Sequence, residues 1–350
     1  MTGGRISMLV TADDSTGATE AGAACADVGL HVYVIPIGAV PAAAVPYESC
    51  VVIDLRSRHE TADEARQRIT ATTTDAHRVH KIDSTLRGNW AAEASALVDS
   101  GRRVVMIPSH PLVGRVCSGG VVFVNGVPVA ESEIGNDPRL PVRSSRPSET
   151  LAGDEIADAE ALALWLATRN TGVAIVDAAT LADLDRLVAM ALRTPDVVLV
   201  GPASVVAAVA GIWSPGGAAA ALPVPRLPTP TVAVCASLHP ASRAQIAKLV
   251  EAGIDVSTSS EVRTTESVAI AVEVAERGRR LVTAKRARSV ILVGGDTAEA
   301  FIGDSVVRVF GSIDVGVSLG EAEIDGVTLR LACKPGGFGA PNTLVNLMNS

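Results

Sequence analysis

The fold is indicated by residues 6–28, ISMLVTADDSTGATEAGAACADV, in which a short apolar run leads through a polar turn into a helical pattern. The same change of hydrophobic period recurs along the chain. Strands that alternate with helices predict βαβ units around a largely parallel sheet, an α/β fold. The predicted strands are Ile6–Val10, His31–Ile35, Val51–Asp54, Val79–Ile82, Val104–Ile107, Val121–Val124, Val173–Val176, Val197–Val200, Thr231–Cys235 and Ser289–Val293. The predicted helices are Ala18–Val28, Ala62–Thr72, Ala91–Val98, Ala159–Ala167, Leu181–Leu192 and Ala241–Glu251.

Charge and composition argue against several classes of protein. The 350 residues carry 30 Lys and Arg against 38 Asp and Glu, a formal net charge of −8. This acidic balance disfavours binding to nucleic-acid phosphates or to anionic membranes. Hydrophobic residues make up 48% and aromatic residues only 3%, so we expect a sizeable core but no stacking platform for single strands. The expected partner is a small-molecule substrate, and the sequence leaves the oligomeric state open, a homo-oligomer included.

Cysteine usage and the N-terminus predict a cytoplasmic protein. The five cysteines are scattered without the spacing of a zinc site or a disulfide framework. The first ten residues, MTGGRISMLV, lack the charged and apolar regions of a secretory leader. The longest apolar run, about nine residues at 205–213, is too short to span a bilayer.

Length and composition predict two domains, since roughly 100–200 residues per domain is usual. Residues 216–230, GGAAAALPVPRLPTP, have the proline-rich and nearly uncharged character of an extended linker. We therefore place one domain at 1–215 and the other at 231–350, and we expect each to be a largely parallel sheet flanked by helices. Within the first, residues 108–150 are rich in Gly, Pro and Ser and interrupt the alternation, as long functional loops do.

Two adjacent carboxylates, Asp13 and Asp14, follow the first predicted strand. In open α/β sheets, ligands bind beyond the carboxyl ends of the strands. Carboxylates there can accept hydrogen bonds from substrate hydroxyls, hold Mg²⁺ or take a proton from an attacking alcohol. The alternative is that Asp14 or Ser15 only caps the following helix.

A second polar segment, KIDSTLRGN (81–89), also lies where a strand leads into a helix. Its cations and hydroxyls suit a carboxylate or a phosphate, and Arg87 can bind a carboxylate through two parallel hydrogen bonds. The alternative is a solvated loop with a polar cap. The segment DLRSRH (54–59) is a weaker case, because Arg56 and Arg58 can equally well form surface ion pairs.

Two glycine-rich segments, GGDTA (294–298) and KPGGFG (334–339), occur near the C-terminus. Glycines at a strand-to-helix turn let backbone N–H groups approach phosphate oxygens. Lys334 is available as a phosphate ligand. Neither the GxxxxGK[ST] pattern nor GxGxxG is present, so an ordinary turn is the alternative for each segment.

Together these segments resemble the four-carbon acid sugar kinase family, which includes D-threonate, D-erythronate and 3-oxo-tetronate kinases. ADDSTGA (12–18), KIDSTLRGN, GGDTA and KPGGFG match in order, and the match spans nearly the whole chain. The STLRG form is similar to the threonate and erythronate kinases. Between these segments, the chain also resembles the family's glycine-arginine loop and the GxP and DP elements that follow it. The matching residues are Pro108, Pro111, Gly114-Arg115, Gly120, Gly126 and Asp137-Pro138.

The resemblance implies an N-terminal domain that binds the acid sugar, a C-terminal domain that binds ATP, and an active site in the interdomain cleft. Carried over by motif, the substrate-side residues are Asp13, Asp14, Ser57, Arg58, Lys81, Asp83, Ser84 and Arg87. The nucleotide-side residues are Ser237, Gly294, Gly295, Asp296, Thr297, Lys334, Gly336, Gly337 and Gly339, with Asp296 as the expected Mg²⁺ ligand.

The resulting prediction is an ATP- and Mg²⁺-dependent kinase that phosphorylates the terminal (C4) hydroxyl of a four-carbon sugar acid. Asp14, Asp13 and Arg87 are the expected catalytic residues. One departure is ASLH (236–239), where the family usually has GSxS, so this chain keeps one of the two serines, Ser237. The alternatives are a kinase for another small hydroxy acid and a non-catalytic two-domain binding protein. A nicotinamide-dependent dehydrogenase is least favoured, because GxGxxG is absent.

Overall fold

The computed structural model describes residues 8–39, 46, 49–72, 74, 76–137, 139–214, 223–260 and 267–348. The strands are, in chain order, β1 (Met8–Ala12), β2 (Val32–Pro36), β3 (Cys50–Asp54), β4 (His77–Lys81), β5 (Arg103–Met106), β6 (Arg115–Ser118), β7 (Val121–Val124), β8 (Val127–Pro128), β9 (Asp154–Ile156), β10 (Gly172–Val176), β11 (Val197–Gly201), β12 (Thr231–Cys235), β13 (Asp255–Thr258), β14 (Ser289–Val293), β15 (Val307–Asp314), β16 (Val317–Ile324) and β17 (Val327–Lys334). The helices are α1 (Ser15–Ala26), α2 (Ala62–Thr72), α3 (Trp90–Asp99), α4 (Ala159–Thr168), α5 (Leu181–Ala191), α6 (Ala203–Trp213), α7 (Pro240–Glu251), α8 (Ser267–Lys285), α9 (Gly295–Ile302) and α10 (Thr343–Asn346). This alternation confirms the predicted α/β class.

The chain divides into two compact units. The first unit contains β1, Asp13 and Ile53–Ala218, and the second unit contains Asp14–Val52 and Ala219–Ser350. This division differs from the predicted boundaries of 1–215 and 231–350, because residues 14–52 belong with the C-terminal unit. Helix α1 packs against β15, β16 and β17, and β2 pairs antiparallel with β15. The predicted linker lies partly outside the described residues, since 216–222 are not among them.

The first unit is built on a parallel sheet with the strand order β1-β4-β11-β5-β10-β9. Its central strands are continuous apolar runs because both faces of the sheet are covered, and β11 is buried along its whole length. Residues 108–150, predicted to be a functional loop region, contain the small antiparallel sheet β6-β7-β8. Parallel strands bring their carboxyl ends to one edge of the sheet, which brings together the polar segments that follow β1 and β4. The segment after β3 joins them, because the Leu55 N–H donates to the Ala12 carbonyl and the Ser57 N–H donates to the Asp13 carbonyl.

The second unit has a mixed sheet. Strands β13, β12, β14 and β17 are parallel to one another, whereas the pairs β17–β16, β16–β15 and β15–β2 are antiparallel. Its core contains Ala233, Ile291, Leu319 and Leu344. The parallel half was predicted, but the antiparallel half was not. Among the described residues, no helix has both the length and the apolar character that crossing a bilayer requires.

Two glycines of the first unit provide a matched test of how tightly the ends of the strands pack. A Cβ on Gly201, at the end of β11, would lie 2.6 Å from the Ile107 carbonyl oxygen and 2.5 Å from Val205 Cγ2. A Cβ on the exposed Gly211 of α6 would meet nothing within 4 Å. We expect Gly201→Ala to destabilise the unit by about 1–3 kcal/mol through overpacking. We expect Gly211→Ala to stabilise it by up to about 1 kcal/mol because alanine favours the helix.

Chemical unfolding followed by circular dichroism measures both variants. Equal stability of Gly201→Ala and the wild type would contradict the close approach of β11 to the Ile107 carbonyl.

Candidate functional site

In the first unit, the loop after β3 is fixed to the end of β1 through Asp13. The Asp13 side chain is buried, and its two oxygens accept from Arg58 Nε at 2.7 Å and from Arg58 Nη2 at 2.9 Å. The Asp13 carbonyl accepts from the backbone N–H groups of Ser57 at 3.0 Å and Arg58 at 3.1 Å. A bidentate ion pair of this kind is among the stronger polar contacts in proteins.

A second bidentate pair lies in the segment after β4. Arg87 donates to Asp83 from Nε at 2.9 Å and from Nη2 at 3.0 Å, and its Nη1 donates to Asp137 at 3.3 Å. Arg58 Nη2 lies 3.9 Å from the same Asp83 carboxylate. Burial acts to raise the pKa of Asp83, but the guanidinium groups of Arg87 and Arg58 outweigh it and hold that pKa well below its usual range. Asp83 is therefore ionised at neutral pH.

The result is a row of alternating charges, which we call the Asp–Arg row: Asp13, Arg58, Asp83, Arg87 and Asp137. Arg58 and Arg87 were each predicted to hold the substrate carboxylate, but in the structure the Nε–Nη2 edge of each already holds an aspartate. Arg87 is 29% exposed against 12% for Arg58. A ligand carboxylate can therefore reach the remaining N–H groups of Arg87 more readily.

Two further predicted residues, Ser84 and Lys81, belong to the same segment as Asp83 and Arg87, and Gly88 of that segment packs against Arg58. The Ser84 side chain is partly exposed and has no hydrogen-bond partner among the described residues. Lys81, at the end of β4, is buried. A Cβ on Gly88 would lie 3.0 Å from Arg58 Cγ, and the φ of Gly88 is +85°, so only glycine lets this loop pack on Arg58 without strain.

Ser57, predicted to bind substrate, is fully buried and faces a polar network inside the first unit. Its hydroxyl donates to Glu93, whose other carboxylate oxygen lies 3.0 Å from His80 Nε2. Thr11 Oγ1 lies 2.9 Å from both His80 Nδ1 and His77 Nε2. Burial, together with the nearby His80 and Arg102, lowers the pKa of His77 to about 3. The hydrogen bond of Ser57 therefore holds the loop that carries Arg58 against this buried network. The sequence analysis did not identify Glu93 or His80 as partners.

In the second unit, Asp14 caps helix α1, as the alternative interpretation of the sequence had it. Its Oδ1 accepts from the Gly17 N–H at 3.0 Å, and its Oδ2 accepts from Thr16 Oγ1 at 2.7 Å. The same carboxylate also lies against the start of α9, because a Cβ on Gly295 would be 2.7 Å from Asp14 Oδ2. The cap therefore brings a negative charge to the first glycine-rich segment.

The three predicted nucleotide-side segments meet around Ser237. A Cβ on Gly294 would lie 3.4 Å from Ser237 Cβ, and one on Gly336 would lie 2.8 Å from Ser237 Oγ. The N–H of Gly294, which has a φ of +101°, donates to the Lys334 carbonyl at 2.8 Å. Thr297 Oγ1 accepts from the Ala236 N–H at 3.0 Å.

The unusual segment ASLH keeps a helix cap. His239 Nδ1 accepts from the Ala241 N–H at 3.2 Å at the start of α7. A neutral imidazole that accepts at Nδ1 carries its proton on Nε2. That Nε2 lies 3.2 Å from the position of a Cβ on Gly337, so the ring also packs against the second glycine-rich segment.

Lys334 does not have the arrangement expected of a phosphate ligand. It is fully buried, and its Nζ donates to the carbonyls of Pro335 at 2.6 Å, Gly336 at 3.2 Å and Phe338 at 2.8 Å. Burial lowers its pKa to about 8. All three ammonium hydrogens are therefore directed at carbonyls of its own loop.

The chemistry of the donors in the second unit suits a magnesium nucleotide better than a resident metal. Asp296 is partly exposed in the first turn of α9, next to the glycine that Asp14 approaches. No group of three or more His, Cys, Asp or Glu side chains that could hold a metal occurs in the described part of the chain. Mg²⁺ is commonly held by one or two carboxylates together with substrate phosphates, and Asp296 fits that pattern.

Curated relatives of the chain are named as acid sugar kinases, as the motifs predicted. A D-threonate kinase from Salmonella typhimurium LT2 is 32% identical over 269 residues, which cover 68% of this chain and 60% of the relative. A D-threonate kinase from Bordetella bronchiseptica is 29% identical over 318 residues, covering 76% and 75%. The chain thus spans about 60% of the length of the Salmonella relative.

A solved structure shares the fold. It is described as a domain of unknown function from Bordetella bronchiseptica, a domain-swapped dimer with bound citrate. It is 26% identical, with a TM-score of 0.54 over 98% of this chain and 97% of that one.

The N-terminal part of the chain also matches a family model. The model is described as the sugar-binding N-terminal domain, and it matches residues 8–209, more than half of the 350. The chain belongs to the family of the sugar-binding N-terminal domain.

Proposed function

We propose that this protein transfers the γ-phosphoryl group of ATP to the terminal hydroxyl of a four-carbon sugar acid such as D-threonate or D-erythronate, giving the 4-phosphate and ADP. The names of the relatives support this activity. The observation that carries it is the contact of Asp14 with Gly295, which brings a carboxylate to a glycine-initiated helix N-terminus. The preceding residue in the chain, Asp13, belongs to the Asp–Arg row.

The Asp–Arg row is the proposed binding site for the acid. The three aspartates and two arginines of the row carry a net charge of −1. An anionic substrate would therefore bind through individual hydrogen-bond donors of the row and not through its net charge. Arg87 supplies outer N–H groups, Ser84 supplies a hydroxyl, and Lys81 contributes positive charge at the end of β4. The citrate in the Bordetella structure is likewise a polycarboxylate with a hydroxyl group.

The nucleotide is assigned to the glycine-rich segments of the second unit. The N–H groups of the first turn of α9 and the positive end of its dipole suit a phosphate. Ser237, Gly336, Gly337 and Gly339 belong to the loops that pack next to it. Asp296 would hold a Mg²⁺ ion bound together with the nucleotide, and that ion would neutralise charge on the phosphate oxygens.

Asp14 is the proposed general base. During transfer, the substrate hydroxyl oxygen bonds to the γ-phosphorus, the bond to the β–γ bridging oxygen breaks, and ADP leaves. The hydroxyl proton passes to a carboxylate. Asp13 is the weaker acceptor because both of its oxygens already accept from Arg58. Asp14 Oδ1 accepts from the Gly17 N–H, and its Oδ2 accepts from Thr16 Oγ1, and both of these donors are neutral.

The remaining assignments concern location and assembly. ATP as phosphoryl donor and a free sugar acid as acceptor fit a cytoplasmic enzyme without nucleic-acid or membrane partners. The Bordetella structure is described as a domain-swapped dimer, and self-association of this chain belongs to the same proposal.

The first test is ADP release from Mg-ATP in the presence of a panel of acids. The panel contains D- and L-threonate, D- and L-erythronate, 3-oxo-tetronate and five-carbon aldonates. We expect ADP release that depends on one four-carbon acid, because the relatives act on acids of that size by name. Reactions without acid measure ATP hydrolysis.

Turnover only with an acid outside the four-carbon set would make the protein a kinase for another hydroxy acid. No turnover and no ATP binding by calorimetry would contradict the kinase proposal and favour a non-catalytic binding protein.

Asp14→Asn tests the general base. Asparagine can keep the helix cap, so the fold is retained while the charge and the basicity are lost. We expect kcat to fall by about 100-fold or more, which is the usual range for removal of a general base. The KM for the acid should change little. Asp158→Asn, at the N-cap of α4 with the same type of contact to Ala161 N–H, is the control and should keep full activity.

Arg87→Lys tests the acid site. Lysine keeps the charge beside Asp83 but cannot bind Asp83 and a substrate carboxylate with the geometry of a guanidinium. We expect the KM for the acid to rise about 10- to 100-fold, the effect of losing a charge-assisted hydrogen bond of roughly 1.5–3 kcal/mol. The KM for ATP should stay within about twofold.

Arg66→Lys is the matched control for Arg87→Lys, because Arg66 forms an ion pair with Asp99 at 2.5 Å on the surface of the same unit. An unchanged KM for the acid in Arg87→Lys would remove Arg87 from the binding site.

A further inference from the structure

Carbonyl oxygens of the KPGGFG loop accept hydrogen bonds from polar side chains that are fully buried. Lys334 Nζ donates to three of them, the carbonyls of Pro335, Gly336 and Phe338. The ammonium group carries three hydrogens and accepts none, so its hydrogen-bonding capacity is complete within the loop.

Two side chains of helix α7 hold the same carbonyls from a second direction. Ser242 Oγ donates to the Gly336 carbonyl at 2.6 Å. Gln245 Nε2 donates to the Phe338 carbonyl at 2.9 Å and to the Ala340 carbonyl at 3.0 Å. Lys334, Ser242 and Gln245 are each 0% exposed. The carbonyl side of this loop therefore faces the interior of the second unit.

The N–H groups of the same peptide units point away from these side chains and can donate to a ligand. In a planar trans peptide, the C=O of one residue and the N–H of the next point in opposite directions. The three carbonyls bound by Lys334 belong to the same peptide units as the N–H groups of Gly336, Gly337 and Gly339. Within the described residues, these three N–H groups donate to no acceptor. Successive backbone N–H groups that point away from a protein interior form an anion-binding concavity.

We propose that Lys334 is a positioning residue: with Ser242 and Gln245 it turns the peptide units of the loop so that the Gly336, Gly337 and Gly339 N–H groups bind a nucleotide phosphate, and its ammonium group does not touch the phosphate. This inference rests on the proposed function, because it assigns the loop to the nucleotide. It changes the role predicted for Lys334 from ligand to organiser and adds two residues of α7 that carry no charge.

The two roles of Lys334 predict different behaviour of neutral variants. If Lys334 binds the phosphate directly, substitution of Ser242 or Gln245 leaves the affinity for ATP unchanged. Lys334→Arg then also keeps that affinity, because arginine is a good phosphate ligand. A lysine that positions the loop makes all three residues matter. Arginine then fails, because its planar fork does not fit between three carbonyls in a closed space.

The experiment measures Mg-ATP binding to the full chain by calorimetry without acid, so that it does not depend on turnover. The variants are Ser242→Ala, Gln245→Met, Lys334→Met, Lys334→Arg and the double variant of Lys334→Met with Ser242→Ala. The control is Ser289→Ala, which removes another buried serine hydroxyl that donates to a carbonyl, that of Pro228 at 2.8 Å, at the opposite end of the strands. Thermal unfolding of each variant accompanies the binding data.

We expect Ser242→Ala and Gln245→Met to weaken ATP binding by about 3- to 10-fold each, the loss of a buried hydrogen bond. Lys334→Met and Lys334→Arg should each weaken it more than about 10-fold, and Ser289→Ala less than about twofold. The double variant should lose less than the product of the single losses, because both side chains hold the Gly336 carbonyl.

Wild-type affinity in Ser242→Ala and Gln245→Met, together with rescue by Lys334→Arg, would overturn the proposal and make Lys334 a phosphate ligand. ATP binding by the wild type with no change in any variant would overturn this inference alone. Failure of the wild type to bind ATP would overturn both the inference and the nucleotide part of the proposed function. Should Lys334→Met not fold, Ser242→Ala, which removes one oxygen atom, still decides between the two roles.

Discussion

The proposed site depends on the placement of two adjacent carboxylates at the end of β1. The Asp13 side chain is held by the guanidinium of Arg58 in the first unit, whereas Asp14 caps α1 and approaches Gly295 in the second. The boundary between the units falls at the peptide bond between these residues. One peptide bond therefore joins a residue of the Asp–Arg row to the residue that approaches Gly295.

In both units, the buried charged groups discussed above have hydrogen-bond partners, as the cost of burying a charge requires. In the first unit, each guanidinium of the Asp–Arg row has an aspartate, and the buried chain from His77 to Ser57 links side chains through Thr11, His80 and Glu93. In the second unit, the buried ammonium group of Lys334 donates to three carbonyl oxygens and, in these contacts, to no carboxylate. Its positive charge therefore remains available to the loop, which suits a segment expected to face phosphate.

Much of the fold could be predicted from the sequence, whereas the location of the site stays a prediction. The strands of the parallel sheets, the polar segments at their carboxyl ends and the glycine-rich turns carry local signals, and the curated relatives bear the predicted family names. The sequence analysis missed the antiparallel half of the second unit. It also missed that residues 14–52 belong to this unit, because that depends on the packing of α1 against strands distant in the sequence. Ser242 and Gln245 were missed for a related reason: in the sequence they are ordinary polar residues of an amphipathic helix. Lys334 was assigned to phosphate because a lysine beside glycines suggests that contact, whereas the direction of its hydrogen bonds is a property of the folded loop.

The glycines of KPGGFG have two physical reasons to be glycine, and the two reinforce each other. On the packed side, a Cβ on Gly336 would lie 2.8 Å from Ser237 Oγ, and one on Gly339, with a φ of +84°, would lie 2.7 Å from Thr343 Oγ1. These contacts alone would account for glycine in a loop with no ligand. However, packing does not require the carbonyls of these peptide units to converge on one ammonium, nor the matching N–H groups to lack acceptors among the described residues. Backbone donors on the exposed side of such a loop are satisfied by water or by a ligand. The direction of the peptide units therefore argues for a binding role more strongly than the glycine content does.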